Sequence, residues 1–538
     1  MKKYLFLAVA ALGFAACAEK GLDNNDPANN GELEQSYVAI TLAADDMATK
    51  ADGGVYEEGL DTERAVKSAY VFFFKDGAPF HVSFDGTTST NAGACNWLEV
   101  ELNTVASAMP NVSDVKDKVL VLQNYKGQYP NQMLALLNWT PEKNSYSLSE
   151  IQAKTSALGN DNAGYVMSNS VYANGKRQTI DATPVTEANI GTTPDAAKAN
   201  PVEIYVERVA AKVLFTADNG GKFNIGETVE NTVVYAQIIG FELYNDNEES
   251  YLLKRIDPTW DGIGFAWNDV DYCRSYWAKS LGNQFPNNTF AWNTDNTYLY
   301  DQTNPDQLNT RNYVYCGENT CRYNGADDIM LQEGERTKVV VKAQLVDNAG
   351  EAVEVVNWYG KDYIGEDNLK VVVANTLKFA YYYGDGFTFN SLSDKDLQCV
   401  ARTSTTENAF EVYFQLSNNG SQKNWYEYKD GNYSVLTVDE LNAKLAEVQP
   451  ALVYKNGMTY YWMDIKHLGR EGSATEYGIV RNHVYKVNIS GIKGFGTPVY
   501  DPNQDFINLE KPEEIVTYVA AQINILSWRV VANDYELN

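Results

Sequence analysis

The sequence is poor in the side chains that enzymes and metal sites use most. Only 3 histidines occur among the 538 residues, and the 6 cysteines include no CxxC pair and no Cys/His cluster of the kind that binds zinc. The serine-hydrolase, zinc-protease and kinase motifs are also missing. We therefore predict a protein that is not an enzyme, with no metal and no cofactor.

Positive charge is scarce as well. The chain has 43 Lys and Arg against 71 Asp and Glu, a formal net charge of −28. A nucleic acid or an anionic membrane surface attracts basic proteins, so neither is an expected partner. Past the first residues, no apolar stretch is long enough to span a bilayer.

The start of the chain has the pattern of a lipoprotein signal peptide. Lys2 and Lys3 precede a short apolar stretch, and Ala15 and Ala16 precede Cys17. We predict that Cys17 is lipidated, so that the precursor contacts a membrane only through its acyl chains. The alternative is an ordinary signal peptide cut near Ala16. Residues 18–35 are polar and acidic without aromatics, which indicates a tether.

Short runs rich in aromatic and β-branched residues dominate the rest. The chain contains 37 Tyr, 20 Phe and 10 Trp, residues that pack well on strands. A carbohydrate-stacking platform is the other interpretation of these rings. Turn residues bound the runs, which predicts an all-β, mostly antiparallel sandwich protein. The predicted strands are 36–43, 68–77, 117–125, 131–139, 202–216, 232–244, 337–346, 410–416, 451–465, 483–492 and 518–531. Capping boxes predict helices beginning at Ser147 and Thr437.

Five segments together resemble one known family. They are YVERVAAKV (205–213), RSYWAKS (274–280), YCGENT (315–320), YGIVRNHVYKVNISGIKGFGTP (477–498) and WRVV (528–531). In this order and spacing they resemble the Bacteroidales fimbrillins of the type V pilus, specifically those like the major subunit of the short fimbria. The resemblance implies two transthyretin-like antiparallel β-sandwich domains with few short helices.

The resemblance also implies a division of the chain. The expected parts are a signal peptide (1–17), a tether with a removable strand (18–50), an N-terminal domain (51–225), a C-terminal domain (226–500), and a linker with a donor strand (501–538).

In this family a trypsin-like protease releases the first strand, and a strand of another subunit takes its place. The removable strand here would be 36–43, in which Val38, Ile40 and Leu42 alternate on one face. The cut would fall between Lys50 and Ala51, in a small, polar loop. The second choice is Arg64–Ala65, where a cut would crowd the strand at 68–77.

The donor strand would lie within 516–531. Ile523 and Ile525 alternate there, and Leu526, Trp528 and Val530 continue an apolar face in the other phase. This change of phase indicates a bulge or two successive docking segments. The alternative is an ordinary last strand of the second domain.

We therefore predict a structural shaft subunit of a surface fimbria, with a role in adhesion. Its expected partners are copies of itself, accessory anchor and tip subunits, the maturation protease, and a host or bacterial surface receptor. The precursor would sit in the outer membrane as a lipoprotein and the mature subunit in the extracellular fimbria. The alternatives are a tip or anchor subunit, and a surface glycan-binding lipoprotein. The latter would show an exposed aromatic platform and a C-terminal strand paired within its own domain.

Overall fold

The computed structural model describes residues 33–44, 55–56, 59–81, 95–105, 115–125, 129–170, 172–173, 176–179, 182–255, 278–281, 298–299, 312–320, 331, 333–401, 411–467, 476–501, 518–526 and 529–533. Cys17, Lys50, Ala51 and Trp528 lie outside these residues.

Strands make up most of the described chain. In the first part they are β1 Leu33–Ala44, β2 Val55–Tyr56, β3 Ala69–Lys75, β4 Ala78–Pro79, β5 Trp97–Glu99, β6 Asn103–Val105, β7 Val115–Tyr125, β8 Gln132–Leu137, β9 Thr155–Ala157, β10 Gly159–Asn160, β11 Gly164–Tyr165, β12 Met167–Asn169, β13 Tyr172–Ala173, β14 Lys176–Thr179, β15 Thr183–Pro184, β16 Ile190–Gly191 and β17 Val202–Arg208. In the second part they are β18 Ala211–Ala217, β19 Lys222–Val229, β20 Thr232–Tyr244, β21 Glu249–Tyr251, β22 Tyr298–Leu299, β23 Tyr313–Cys316, β24 Lys338–Val346, β25 Val355–Trp358, β26 Lys361–Ile364, β27 Tyr381–Gly384, β28 Phe389–Ser391, β29 Leu397–Ala401, β30 Glu411–Leu416, β31 Trp425–Lys429, β32 Asn432–Leu436, β33 Ala451–Tyr454, β34 Met458–Asp464, β35 Val484–Lys493, β36 Thr497–Pro498, β37 Tyr518–Leu526 and β38 Arg529–Asn533.

Helices are short. The α-helices are α1 Asp61–Arg64, α2 Leu148–Gln152, α3 Pro194–Ala199, α4 Glu366–Leu377 and α5 Val438–Ala446. Turns of 3-10 helix occupy Glu187–Asn189, Asp218–Gly221, Glu333–Glu335, Asp394–Asp396, Gly420–Gln422 and Lys455–Gly457. Among the described residues, no helix is long and apolar enough to cross a bilayer.

The first sheet has eleven strands, with the path β4-β3-β8-β12-β17-β1-β7-β6. Both of its faces are covered, and β3 shows why its sequence is apolar throughout. Val71 and Phe73 enter one core, while Phe72 and Phe74 enter the other, which α2 also lines. A strand buried on both faces has no polar side to alternate with.

A two-sheet sandwich follows. One sheet has the order β2-β38-β37-β35-β18-β23 and the other β19-β20-β24-β34-β36. Their inner faces enclose one hydrophobic core. Phe215 of the first sheet stacks on Phe241 of the second with ring centroids 4.6 Å apart. This core holds the two sheets together.

The part of the sequence between β24 and β34 forms a third packed unit, which the sequence did not lead us to predict. It combines a five-stranded sheet (β26-β25-β33-β30-β29), a four-stranded sheet (β28-β27-β31-β32) and the helices α4 and α5. Leu369 of α4, Leu441 and Leu445 of α5 and Trp425 of β31 share its core.

The predicted all-β class with few short helices is confirmed. Both capping boxes are present: Ser147 and Thr437 each accept a hydrogen bond from the backbone N–H three residues later and start α2 and α5. The segment after Ser147 is helical only to Gln152 and continues as the strands β9 and β10. The sheets are not wholly antiparallel, because β1 runs parallel to β17, and β18 parallel to β35.

One predicted strand, 202–216, is two strands in two sheets. The chain leaves the first sheet after β17 and enters the sandwich at β18, with Val209 and Ala210 between them. The Ala210 carbonyl accepts a hydrogen bond from the Asn482 N–H at 2.7 Å, which fixes this crossing. The domain limits 51–225 and 226–500 stay a prediction, and the crossing favours an earlier end for the first domain.

Candidate functional site

The first strand lies inside the first sheet, not at its edge. β1 pairs antiparallel with β7 from Leu33–Tyr125 to Ala43–Val115, and parallel with β17 from Ile40–Val202 to Ala44–Val206. On their far sides, β7 pairs with β6 and β17 with β12. Neighbouring strands are about 4.7–4.9 Å apart. Removal of β1 would therefore leave a gap one strand wide, bordered by backbone groups of β7 on one side and of β17 and the short strand β16 on the other.

Two of the predicted side chains of the removable strand fill the core. Val38 is 0% exposed and Ile40 is 1% exposed, and both pack in the cluster that contains Phe73 and Ile204. Leu42 pairs with Ile204 through the backbone register, but its side chain lies outside the described part. Burial of a side chain of this size contributes about 1.5–3 kcal/mol. The gap is thus both a hydrogen-bonding edge and an apolar groove.

The chain passes from one sheet to the other between β1 and β2. β1 belongs to the first sheet, whereas Val55 of β2 pairs with Val530 of β38 in the sandwich. The predicted cut at Lys50–Ala51 falls between these strands, outside the described residues. A cut there would separate β1 from β2 without breaking either strand.

The second-choice cut, Arg64–Ala65, lies in a hydrogen-bonded turn. Arg64 ends α1, its N–H donates to the Leu60 carbonyl at 3.2 Å, and its side chain pairs with Asp61. The Ala65 carbonyl accepts a hydrogen bond from Asn138 Nδ2 at 2.8 Å. A protease that binds its substrate as an extended chain would have to undo this turn.

A buried charge pair holds the same turn. The Glu63 side chain is fully buried, and its Oε1 lies 2.6 Å from Lys212 Nζ of β18. Tyr315 of β23 donates its hydroxyl to the same carboxylate oxygen, and Arg208 Nε donates to the Glu63 carbonyl at 2.8 Å. Burial, followed by the neighbouring Glu63 charge, raises the pKa of Tyr315, so this phenol stays protonated and able to donate. The helix α1 is therefore fixed to the sandwich.

Four of the five segments that carry the family resemblance meet where the first sheet joins the sandwich. Arg481 is fully buried, and its Nη2 lies 2.6 Å from Glu318 Oε2 of the YCGENT segment. Arg208, in the YVERVAAKV segment, donates from Nη1 to Asn482 Oδ1 at 3.2 Å. Thr320 donates its hydroxyl to the Ala278 carbonyl of the RSYWAKS segment. Four segments far apart in the sequence thus form one junction.

Sequence analysis did not identify the charged residues of this junction as a set. Lys212 and Arg481 each stand inside an apolar run, and Glu63 directly precedes Arg64, the residue of the second-choice cut. A charge inside an apolar run is the local signal that could have marked them, because buried charges are rare unless they are paired. Their partners come from distant segments, so the pairing itself had no local signal.

The C-terminal strands pair within their own chain. β37 runs antiparallel to β35 from Lys493–Tyr518 to Val484–Leu526, with a register shift between Ile489 and Gly491. β38 returns along β37 in a hairpin and also pairs with β2. The predicted change of phase at Leu526 is the end of β37. The side chains of Ile523, Ile525, Leu526 and Val530 lie outside the described part, as does the whole of Trp528.

The histidines lie in two separate places. His81 Nε2 is 3.1 Å from Ser145 Oγ beside the first sheet, and burial lowers its pKa. His467 is buried in the sandwich, where its Nδ1 lies 3.0 Å from the Tyr485 hydroxyl, and the His483 ring is 5.3 Å away. The three side chains are therefore not assembled around one substrate position.

Two described cysteines are free thiols without reactive character. Cys316 is fully buried, and burial raises its pKa well above the ordinary value. Burial raises the pKa of Cys399 to about 12. The thiolate is the reactive form of cysteine, and it is disfavoured at both positions.

Comparison with known proteins bears on the C-terminal part most directly. Residues 452–534 match the family model of the major fimbrial subunit protein type IV, fimbrillin, C-terminal region. This match spans β33 to β38 and includes both C-terminal strands. No curated protein matches the chain.

Solved structures of similar proteins align over most of the chain. A fimbrillin (FimA) from Porphyromonas gingivalis W83 is 12% identical, with a TM-score of 0.38, covering 92% of this chain and 98% of that one. A protein described as a cell adhesion protein from Parabacteroides distasonis is 13% identical, with a TM-score of 0.37 and coverage of 91% and 96%. The tip fimbrial protein Mfa3 from P. gingivalis is 12% identical, with a TM-score of 0.31 and coverage of 92% and 100%. At these scores the alignments carry no argument of their own.

The sequence match therefore supports the resemblance that the five segments indicated. It covers the sandwich strands that hold the GIVRN segment and both C-terminal strands. Residues 452–534 of this chain are similar to the C-terminal region of the fimbrillins, the major fimbrial subunit proteins.

Proposed function

We propose that this chain is the structural, non-enzymatic shaft subunit of a cell-surface fimbria, which polymerises by strand exchange after a proteolytic cut. The observation that carries the proposal is the position of β1. It is an internal strand of the first sheet, yet its covalent connection to the strands that follow runs only through the segment that contains Lys50. Such a strand is removable by one cut in the connecting segment.

The empty groove would be costly, which gives the exchange its driving force. Loss of Val38 and Ile40 exposes the apolar positions that they fill, at about 1.5–3 kcal/mol for each side chain. The facing backbone groups of β7 and β17 also lose their partners. A new strand restores both, because main-chain hydrogen bonds provide affinity and alternate side chains set the register. Slow release of such a buried strand would give the fimbria kinetic stability.

The C-terminal hairpin is the proposed source of the new strand. β37 carries the alternating residues Ile523 and Ile525 and ends at Leu526, and β38 carries Val530. Trp528 lies between the two strands in the sequence. The groove has the width of one strand, so the hairpin must open before either strand inserts into a neighbour. In the precursor, pairing of the hairpin with β35 and β2 would keep the donor within its own chain.

The lipid on Cys17 then has a temporary role. A cut between Lys50 and Ala51 removes Cys17 together with the tether and β1. The lipoprotein would carry the precursor to the outer membrane and hold it unpolymerised until the protease acts. The mature subunit would join the extracellular fimbria with anchor and tip subunits, and a host or bacterial receptor is the proposed target of adhesion.

Two other functions remain as alternatives. A tip subunit need not donate a strand, and an anchor subunit need not be cut. A surface glycan-binding lipoprotein would keep its C-terminal strand in its own domain, and the pairing of β37 with β35 favours this candidate. The shaft role is preferred because it also accounts for the internal position of β1.

Native digestion with trypsin tests the proposal. The full chain should give a stable core that starts at Ala51 and then SDS-resistant ladders. The variant Lys50→Gln should give neither, while the matched variant Arg64→Gln should behave like the wild type. A chain that ends before Ile515 should be cut but should not polymerise. Ladders from the Lys50→Gln variant or from the shortened chain would refute strand exchange.

A further inference from the structure

A cluster of aromatic rings covers the outer face of the four-stranded sheet in the third unit. We name it the aromatic face and define it by its rings: Tyr382 of β27, Phe389 of β28, Tyr426 and Tyr428 of β31, and Tyr433 of β32. Successive side chains of a strand point to opposite faces. Trp425, Tyr381 and Tyr383 accordingly belong to the buried core on the other side. All four strands thus contribute rings to one outer surface.

The rings support one another in a fixed arrangement. Phe389 and Tyr433 are stacked, with centroids 3.8 Å apart and planes inclined by 1°. Tyr382 meets Tyr433 edge to face at 5.3 Å, and Tyr426 meets Phe389 edge to face at 5.0 Å. Tyr428 lies 4.8 Å from Tyr433. The strands hold these rings in place, so the free-energy cost of ordering them when a ligand binds would be small.

The aromatic face is open to solvent. Tyr428 and Tyr433 are each 41% exposed, and Val435 beside them is 74% exposed. Phe387, at the tip of the loop between β27 and β28, is 93% exposed. In the described part of the chain, the five rings belong to none of the buried hydrophobic clusters. Exposed apolar patches of a few hundred Å² mark interaction sites on soluble proteins.

The size and charge of this surface indicate its ligand. The outer-face positions of the four strands carry Tyr, Phe, Val, Ser and Gly but no charged side chain. The chain as a whole carries a net charge of −28, which disfavours an anionic ligand. A stable protein interface involves about 20–30 residues on each partner, whereas the aromatic face consists of five rings. A small uncharged ligand fits both conditions.

We infer that the aromatic face binds an uncharged carbohydrate. The face of an aromatic ring is negative and attracts the weakly positive C–H groups of a sugar ring. The four tyrosines also offer hydroxyls that donate to and accept from sugar hydroxyls. This inference goes beyond the shaft role, because polymerisation through β1 and the C-terminal hairpin does not involve the third unit.

Glycan binding by the intact, uncleaved chain tests the inference. The probes are an array of neutral oligosaccharides built from hexoses, N-acetylhexosamines and fucose, with sialylated and sulfated oligosaccharides as the anionic set. The strongest neutral binder is then titrated by saturation-transfer NMR. The test variant is Tyr428→Ala/Tyr433→Ala. The matched control is Phe379→Ala, which removes a ring that is 71% exposed and lies outside the aromatic face.

The wild type should bind neutral oligosaccharides and not the anionic set. The double alanine variant should bind at least about tenfold more weakly, and Phe379→Ala within about twofold of the wild type. The variant Tyr428→Phe/Tyr433→Phe keeps the rings and should retain most of the affinity, which separates stacking from a loss of fold. Thermal unfolding of each variant checks folding directly.

Three results would overturn the inference. They are a wild type that binds no neutral oligosaccharide, equal binding by the double alanine variant, and preferential binding of the anionic set. If the double alanine substitution instead abolishes self-association of the uncleaved chain, the face is a subunit contact. Ladder formation after trypsin treatment is measured separately on the same variants, so failure of strand exchange and failure of glycan binding are distinguishable.

Discussion

Substitution of Glu63 should open the second trypsin site. In the native structure the Arg64–Ala65 bond is protected because Glu63 is buried against Lys212 and Tyr315. The variant Glu63→Ala leaves the Lys212 ammonium buried without its carboxylate. Breaking a buried pair in this way costs about 3–5 kcal/mol. We expect the cost to appear as easier local opening of α1, which Lys212 and Tyr315 otherwise fix to the sandwich.

The free-energy cost of breaking the pair predicts how much faster trypsin should cleave after Arg64. Each 1.4 kcal/mol changes an equilibrium tenfold, so cleavage after Arg64 should rise by about a hundredfold to a few thousandfold when opening is faster than cleavage. The assay is trypsin digestion under native conditions, with the N-terminus of the core read by mass spectrometry. The core should change from Ala51 in the wild type to Ala65 in the variant.

Two controls keep this result specific. Asp61→Ala removes only the exposed partner of Arg64, and exposed pairs contribute little, so its cleavage should resemble the wild type. Glu63→Ala/Lys212→Met removes both charges and should regain most of the protection, because an apolar replacement of a buried pair is often neutral. If Glu63→Ala leaves the Arg64 bond as resistant as before, the buried pair does not protect it and our ranking of the two cuts loses its basis.

Three further predictions follow from the buried residues. Ile40→Ala should lower the free energy of unfolding of the uncleaved chain by about 2–5 kcal/mol and leave that of the cleaved chain unchanged. Val206→Ala should lower it in both forms, and urea unfolding of the two forms measures the difference. A destabilising effect of Ile40→Ala in the cleaved chain would contradict removal of β1. Arg481→Met leaves the Glu318 carboxylate buried without its charged partner and should lower the free energy of unfolding by about 3–5 kcal/mol in the same assay. A change near zero would show that the junction does not depend on this pair. Burial raises the pKa of Asp246 to about 6, so the folded state binds its proton more tightly than the unfolded state. The contribution of the Asp246 carboxyl to stability is present below its ordinary pKa and is lost as the pH rises through about 6. Asp246→Asn should therefore gain stability relative to the wild type from low to neutral pH. Parallel profiles of unfolding free energy against pH for the two proteins would refute this.

Local signals in the sequence predicted local structure well. The alternation of Val38 and Ile40 identified β1, whose burial the structure confirms, because a half-buried strand shows its face in every second residue. The capping boxes at Ser147 and Thr437 marked two helix starts, because the bonds they form lie within four residues. Both kinds of signal are complete within one short segment.

The choice of partner strand has no such signal. The run 202–216 is continuous and rich in β-branched and apolar residues, yet its halves join different sheets, because the crossing depends on the distant Asn482. The alternation in 518–531 is likewise the same whether its partner is β35 or a strand of another subunit. Pairing within the chain was the alternative prediction for this segment, and it is the arrangement in the structure.

Helix α4 is a helix that local sequence signals do not predict. Its sequence EDNLKVVVANTL contains three consecutive valines, which are β-branched and favour strands. It begins after Gly365 at a φ of 79°, without a side-chain cap. Burial of Leu369 and Val373 in the third core accounts for the helix, and that core also contains residues far away in the sequence, such as Val453.

Opening of the C-terminal hairpin is the central claim, and a disulfide lock tests it most directly. Asn524 and Ala532 are opposite one another in β37 and β38. Opposed residues in antiparallel strands have Cα atoms about 4.5–5.5 Å apart, within the range for a disulfide. The variant Asn524→Cys/Ala532→Cys should therefore close the hairpin when oxidised, and the two single-cysteine variants serve as controls.

After trypsin treatment, we predict that the oxidised double variant starts at Ala51 but forms no SDS-resistant ladder. Reduction with dithiothreitol should restore the ladder, since the single-strand groove accepts the donor only after the hairpin opens. Ladders of wild-type intensity from the oxidised, fully locked protein would contradict strand donation by this hairpin.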